Sequence, residues 1–140
     1  MDIIDPRYAG GDYSEHNEDW HEGRAGWKSE QARIMLAKHR ITPHSICDVG
    51  CGTGGVLDEL AGLLPHRPET LVGYEVSPDA IARVPAQRRE RVDVVHGTHD
   101  ADDRTFDLML ALDVLEHVED YYGSCAASGT RPPWRCFTCP

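Results

Sequence analysis

The chain has 140 residues, with 24 acidic against 14 basic side chains and a formal net charge of −10 with neutral histidines. That length suits one domain, 40% apolar and 27% charged residues describe a globular chain, and the acidic balance supplies no basic face for nucleic acid. No apolar run approaches the ~20 residues of a membrane span, and Met1 to Arg7 lack the basic and apolar regions of a signal peptide, so a cytoplasmic chain is expected.

Residues 1–26 read as an acidic arm with Tyr8, Tyr13 and Trp20 as its large side chains. From Trp27 to about Arg40 the pattern is helical, with Trp27, Gln31, Ile34, Met35 and Lys38 near one stripe, and Thr42-Pro43 stops it. Ser45 to Val49 is a short strand running into the glycine cluster Gly50 to Gly55. Val56 to Leu64 is a helix with Val56, Leu57, Leu60, Leu63 and Leu64 on its buried side, and Thr70 to Glu75 is a second strand. Ser77-Pro78-Asp79 opens a further helix: Ser as N-cap, Pro at the first helical position, Asp at the positive dipole end. Arg91 to His96 and Phe106 to Ala111 are the third and fourth strands. Asp113 to Tyr122 is a helix with Val114, Leu115, Val118 and Tyr121 inward. Strand and helix in alternation predict an α/β fold, a Rossmann-like doubly wound parallel sheet, broken off after its fourth strand.

The sharpest feature is the glycine turn Asp48-Val49-Gly50-Cys51-Gly52-Thr53-Gly54-Gly55 at a strand-to-helix junction. Glycines let backbone turn tightly and approach a ligand, and the helix behind presents its positive end. Glu75, closing the second strand, stands where a carboxylate accepts hydrogen bonds from ribose hydroxyls. The spacing alone fits both Gly50-x-Gly52-x-x-Gly55, a dinucleotide fingerprint, and Gly50-x-Gly52-x-Gly54, a methyltransferase turn. Asp48 separates them: a carboxylate before the turn repels a pyrophosphate but suits a ligand carrying an ammonium and a sulfonium.

Three segments resemble, in order, the class I S-adenosylmethionine-dependent methyltransferases. Asp48 to Gly54 is similar to their motif I, Gly73-Tyr74-Glu75-Val76-Ser77-Pro78-Asp79 to the acidic motif that follows, and Phe106 to Val118 to the fourth-strand motif with its Asp113-Val114-Leu115-Glu116-His117 continuation. The resemblance covers about residues 27 to 123. It implies that Asp48, Gly50, Cys51, Gly52 and Gly54 line the methionine part of S-adenosylmethionine, that Glu75 holds the ribose and that Val76 packs on the adenine. Ala111, Leu112 and Asp113 would close the pocket. The family often has an acid after the third strand for the adenine amino group; here Gly97-Thr98-His99 stands there, with Thr98 or Asp100 as the substitute contact. The activity so implied is methyl transfer to a small-molecule acceptor. The rivals are a nucleoside-binding module without catalysis and an NAD-dependent oxidoreductase.

Asp113, Glu116 and His117 share a helix face and could converge on a divalent ion. The simpler reading is that Asp113 caps the helix and the other two hydrogen-bond near the cofactor, so no metal is expected. His117, with an ordinary pKa near 6.5, is the candidate general base. Residues 124–140 carry no helical or strand period and hold Cys125, Cys136 and Cys139. One Cys-x-x-Cys pair is too few for structural zinc. The expectation is a frame-shifted tail, because every Cys and Trp codon begins TG and a frame restored by one base gives Leu, Met or Val at Cys125, Trp134, Cys136 and Cys139. The 140-residue chain is then an incomplete catalyst with a bare apolar edge at Leu108-Met109-Leu110.

Overall fold

Short, apolar runs bounded by turn residues become strands here, and Ser45–Val49, Thr70–Glu75 and Leu108–Leu110 are buried on both faces. A computed structural model of the chain describes residues 22–112 and 135–137. The elements in order are α1 (Glu22–Lys38), β1 (Ser45–Val49), α2 (Gly55–Leu63), β2 (Thr70–Glu75), α3 (Pro78–Ala82), α4 (Ala86–Arg89), β3 (Asp93–His96), a 3-10 turn at His99–Ala101, β4 (Leu108–Leu110) and β5 (Arg135–Phe137). All strand pairs are parallel and the order is β3-β2-β1-β4-β5. The chain builds outward from β1 to β3 and then returns past β1 to β4. The strand order therefore reverses between β1 and β4, and in such sheets ligands bind outside the carboxyl ends of the strands at that point.

Alternation along the strands divides the core in two. Ile46, Leu71, Leu108 and Leu110 face α1 and α2, packing with Leu36, Leu57, Leu60 and Ala61. Cys47, Val72 and Tyr74 face the opposite side with Phe106. The crossover from β3 to β4 must pass over that second side, and residues 97–107 do so with a 3-10 turn and extended chain. At the opposite end of the sheet Asp107 fastens β4 to β1. Its Oδ2 accepts from the backbone N–H groups of His44 (2.8 Å) and Ser45 (3.1 Å).

The α/β class and the parallel sheet are as expected, and β1 and β2 have the expected bounds. Several details differ: α1 starts at Glu22, inside the arm expected over residues 1–26, and β3 and β4 are shorter than the expected Arg91 to His96 and Phe106 to Ala111. The stripe containing Trp27, Ile34 and Met35 points outward, and these residues are 59%, 44% and 40% exposed. The buried face of α1 is instead Ala25, Lys28, Ser29, Ala32 and Leu36. Small side chains let α1 lie close to α2: a Cβ on Gly26 would meet Glu59 Oε2 at 3.1 Å. The Ser29 hydroxyl, placed between the helices, donates to Ala25 O or to Val56 O. Close approach outweighs side-chain bulk there. Leu63, expected inside, is exposed, and Ala61 takes its place. Finally, the sheet does not stop at β4. Arg135–Phe137 pairs in register with Leu108–Leu110, so the edge expected to be bare carries a fifth strand. The arm up to residue 21, the helix expected from Asp113 to Tyr122, and the tail residues other than 135–137 lie outside the described residues. Among the described residues no helix is long and apolar enough to cross a membrane.

Candidate functional site

The carboxyl ends of β1, β2 and β3 are laced together by backbone. Gly50 and Cys51 both donate their N–H to Tyr74 O, at 2.8 and 3.1 Å, and Gly97 donates to Glu75 O at 2.9 Å. The turn after β1 is left-handed at Gly50 (φ 72), Gly52 (φ 58) and Gly54 (φ 79), which explains glycine at all three positions. Gly54 is also the residue from which α2 starts, without any side-chain cap.

Two carboxylates border this turn. Asp48, at register with Gly73, is 3% exposed, and Glu75 is 8% exposed. Glu75 Oε2 accepts the Gly52 N–H at 2.8 Å, while its Oε1 accepts those of Val76 and Ser77, both at 2.9 Å. Cys51 lies between them, its thiol 3.5 Å from Gly52 O. Burial, and then the charges of Asp48 and Glu75, hold that thiol far above the ordinary thiol range. Cys51 is therefore a neutral packing group and not a nucleophile.

The remaining expected residues fall as follows. Val76 and Thr98 are half-buried at the ends of β2 and β3, and Leu112 is buried just past β4. These residues thus gather at one end of the sheet with Asp48, Gly50, Cys51, Gly52, Gly54 and Glu75. Asp113, Glu116 and His117 lie outside the described residues.

Four residues that sequence reasoning left without a role belong to this region. Gly73 sits under Cys51, where any Cβ would overlap the thiol. Arg88 of α4 donates to the carbonyl and hydroxyl of Thr53 at 3.2 and 3.1 Å, holding the turn from outside. His96 places Nε2 3.2 Å from Val76 O. His99 stands edge-on to the Tyr74 ring at 5.9 Å. A glycine inside an apolar strand was a readable signal for the first. The arginine run Arg88-Arg89-Glu90-Arg91 was a weaker one for the second, since charge in sequence does not say what it reaches.

Acid should weaken the fold in two stages. Burial holds His99 below its ordinary 6.5, with Asp100 and Asp102 opposing the shift. The hydrogen bond from Arg91 is the main cause holding Asp58 below its ordinary 3.8. Each group takes up its proton more readily in the unfolded chain. Each contribution is thus complete above the unfolded value and lost as pH falls through the lower folded one. Thermal melts from pH 8 to pH 3 should show one decline beginning near 6.5 and another below 3.8, with His99→Gln abolishing the first. An unchanged first decline in that variant would assign it to another group.

A sequence-family profile described as "Methyltransferase domain" matches residues 20–125. No curated protein matches the chain. Solved structures resembling it include a coclaurine N-methyltransferase bound to N-methylheliamine and S-adenosylhomocysteine, with TM-score 0.62 and 17% identity over 79% of this chain. A glycopeptide N-methyltransferase, MtfA, complexed with S-adenosylmethionine gives 0.60 and 19% over 79%. The plantazolicin methyltransferase BpumL, in complex with a triazolic desmethylPZN analog and S-adenosylhomocysteine, gives 0.58 and 17% over 88%. The chain covers 35%, 53% and 47% of those three proteins, respectively, so it spans between about a third and about half of their lengths. Those likenesses speak for the fold, and the profile, covering most of the chain, speaks for descent: the chain belongs to the methyltransferase domain family.

Proposed function

We propose that the chain binds S-adenosylmethionine at the carboxyl ends of β1 to β4 and serves methyl transfer to a small-molecule acceptor. The observation that carries this reading is the polarity of the glycine turn. The N–H groups of Gly50, Cys51, Gly52 and Gly54 all donate inward, to Tyr74 O, Glu75 Oε2 and Cys51 O, and two buried carboxylates flank them. A pyrophosphate needs free amides at such a turn. A ligand with a cationic end and a neutral diol does not, and this donor set fits it.

In this reading Asp48 faces the cationic methionine end of the ligand, and Gly50, Cys51, Gly52 and Gly54 allow close approach of backbone to it. Glu75 accepts from the ribose, Val76 covers one side of the adenine, Thr98 meets its edge, and Leu112 and Asp113 close the pocket from β4. When bound, S-adenosylmethionine supplies an electrophilic methyl group on a sulfonium. The chain's task is to hold the ligand, exclude water and align an acceptor with that methyl. His117 is the residue proposed to take a proton from the acceptor. The small-molecule acceptor is supported by relatives of like fold crystallised with N-methylheliamine or a desmethylPZN analog.

Calorimetry of the 140-residue chain with S-adenosylhomocysteine and with NAD tests the reading. S-adenosylhomocysteine should bind, and NAD should bind at least about tenfold more weakly because its pyrophosphate meets Asp48. Tighter binding of NAD would overturn it.

A further inference from the structure

The crossover from β3 to β4 carries Thr98, and it has little backbone structure of its own. Within residues 97–107 the regular element is one 3-10 turn, His99–Ala101, and Thr98 is the residue that begins it. The Ala101 N–H donates to Thr98 O at 3.3 Å and the Asp102 N–H to His99 O at 3.1 Å, so Asp102 closes the turn that Thr98 opens. The half-buried Thr98 side chain makes no capping bond. Two backbone bonds are too few to fix a turn by themselves, because a helical nucleus is unfavourable on its own. Side chains must set its place.

Asp102 does so. Its Oδ2 accepts from the Tyr74 hydroxyl at 2.8 Å and from Arg104 Nε at 2.7 Å, and its Oδ1 accepts the Arg104 N–H at 3.0 Å. Arg104 reaches on to Asp93 of β3 at 2.9 Å. Tyr74 O meanwhile accepts the N–H groups of Gly50 and Cys51. The glycine turn and the crossover are thus both fastened to Tyr74, one by its backbone and the other by its side chain.

We propose that Asp102 is a positioning residue: by tying the end of the 3-10 turn to β2, it sets Thr98 against the base and makes the site select a purine that bears an amino group. This rests on the proposed S-adenosylmethionine site, in which Thr98 meets the adenine edge. Asp102 acts through the turn, without touching the ligand. A hydrogen bond from the amino group to the Thr98 hydroxyl survives only small displacements. Val76 and Glu75 belong to β2 and its end, so the contacts proposed for them do not move with the crossover. Loosening the turn therefore costs the base its edge contact and spares the rest.

Two measurements on the 140-residue chain test this. The first needs no ligand. Nuclear Overhauser contacts between the His99 and Tyr74 rings, whose centroids are 5.9 Å apart, should be present in the wild type and weaken in Asp102→Ala. Contacts of wild-type strength in the variant would overturn the positioning role. Should Asp102→Ala fail to fold, Asp102→Asn takes its place. It keeps the volume but sets an amide against Arg104, and the same weakening is expected.

The second measurement is calorimetry with S-adenosylhomocysteine and with its purine analogue lacking the 6-amino group. The wild type should bind S-adenosylhomocysteine at least about fivefold more tightly, within the usual worth of one hydrogen bond. In the Asp102 variant that preference should fall below about twofold, through weaker binding of S-adenosylhomocysteine and little change for the analogue. A merely structural role would weaken both ligands in equal proportion, and that result would overturn the inference. So would a wild type without preference. If S-adenosylhomocysteine does not bind the wild type while the ring contacts respond as expected, the proposed function fails and the selectivity with it, but the anchoring of the turn by Asp102 stands.

Discussion

Gly73→Ala is expected to displace the glycine turn and destabilise the fold by about 1–3 kcal/mol, the usual cost of overpacking a close-packed core. An alanine Cβ at this position would overlap Cys51 Sγ and lie 2.8 Å from Cys51 Cβ, with Leu57 Cδ1 at 3.5 Å behind. Cys51 cannot simply withdraw, because its N–H is bonded to Tyr74 O at 3.1 Å and Gly54 N–H is bonded to its carbonyl at 2.9 Å. Moving it unravels the turn. Urea melts should therefore show the loss, and binding of S-adenosylhomocysteine should fall with it. Adding Cys51→Gly to Gly73→Ala removes both overlapping atoms and should recover most of the stability. Wild-type melting of Gly73→Ala alone would show that the thiol yields without cost.

The next residue along β2 carries the largest expected effect on the other side of the sheet. Tyr74 is 1% exposed and meets the ring of Phe106 at 6.3 Å and that of His99 at 5.9 Å, both nearly perpendicular. Its hydroxyl donates to Asp102 Oδ2 at 2.8 Å, and Asp102 is bonded in turn by Arg104, which also reaches Asp93. Burial keeps the phenol well above its ordinary value, so it remains a donor. The crossover from β3 to β4 is thus pinned to the sheet by Tyr74 and by the Arg104–Asp93 ion pair. Tyr74→Ala is expected to cost about 3–5 kcal/mol, as for other large aromatic truncations in cores. Tyr74→Phe keeps the ring and loses one hydrogen bond, a far smaller change. Denaturant midpoints for the two variants make the comparison. Equal losses would mean that the hydroxyl, and not the ring, organises this face.

Both predictions concern neighbours in a segment whose boundaries were readable in advance. Thr70–Glu75 and Ser45–Val49 are strands as expected because each is a short apolar run ended by turn chemistry, which is local information. The glycine turn was readable for the same reason: positive φ at Gly50, Gly52 and Gly54 is what glycine supplies best. Asp48 and Glu75 were identified as a pair, and both are buried at the same end of the sheet. The partners of Glu75 were not foreseen. They are backbone amides, which every residue carries, so no letter in the sequence marks them.

The sequence by itself determined the α/β alternation, the parallel sheet and the common strand end at which Asp48, the glycine turn and Glu75 lie, since periodicity and turn residues act over a few positions. Tertiary structure alone decided which face of α1 is buried. A 3.6-residue period separates faces, but the approach distance to α2 favoured Ala25, Ser29 and Ala32 over the bulkier Trp27, Ile34 and Met35. It also decided that Arg135–Phe137 is a strand, because three residues have no period of their own and become β5 only through register with Leu108–Leu110. And it decided that Glu75 ties the glycine turn to the end of β2 and the start of α3, since hydrogen bonds to backbone depend on where chains meet, not on what they spell.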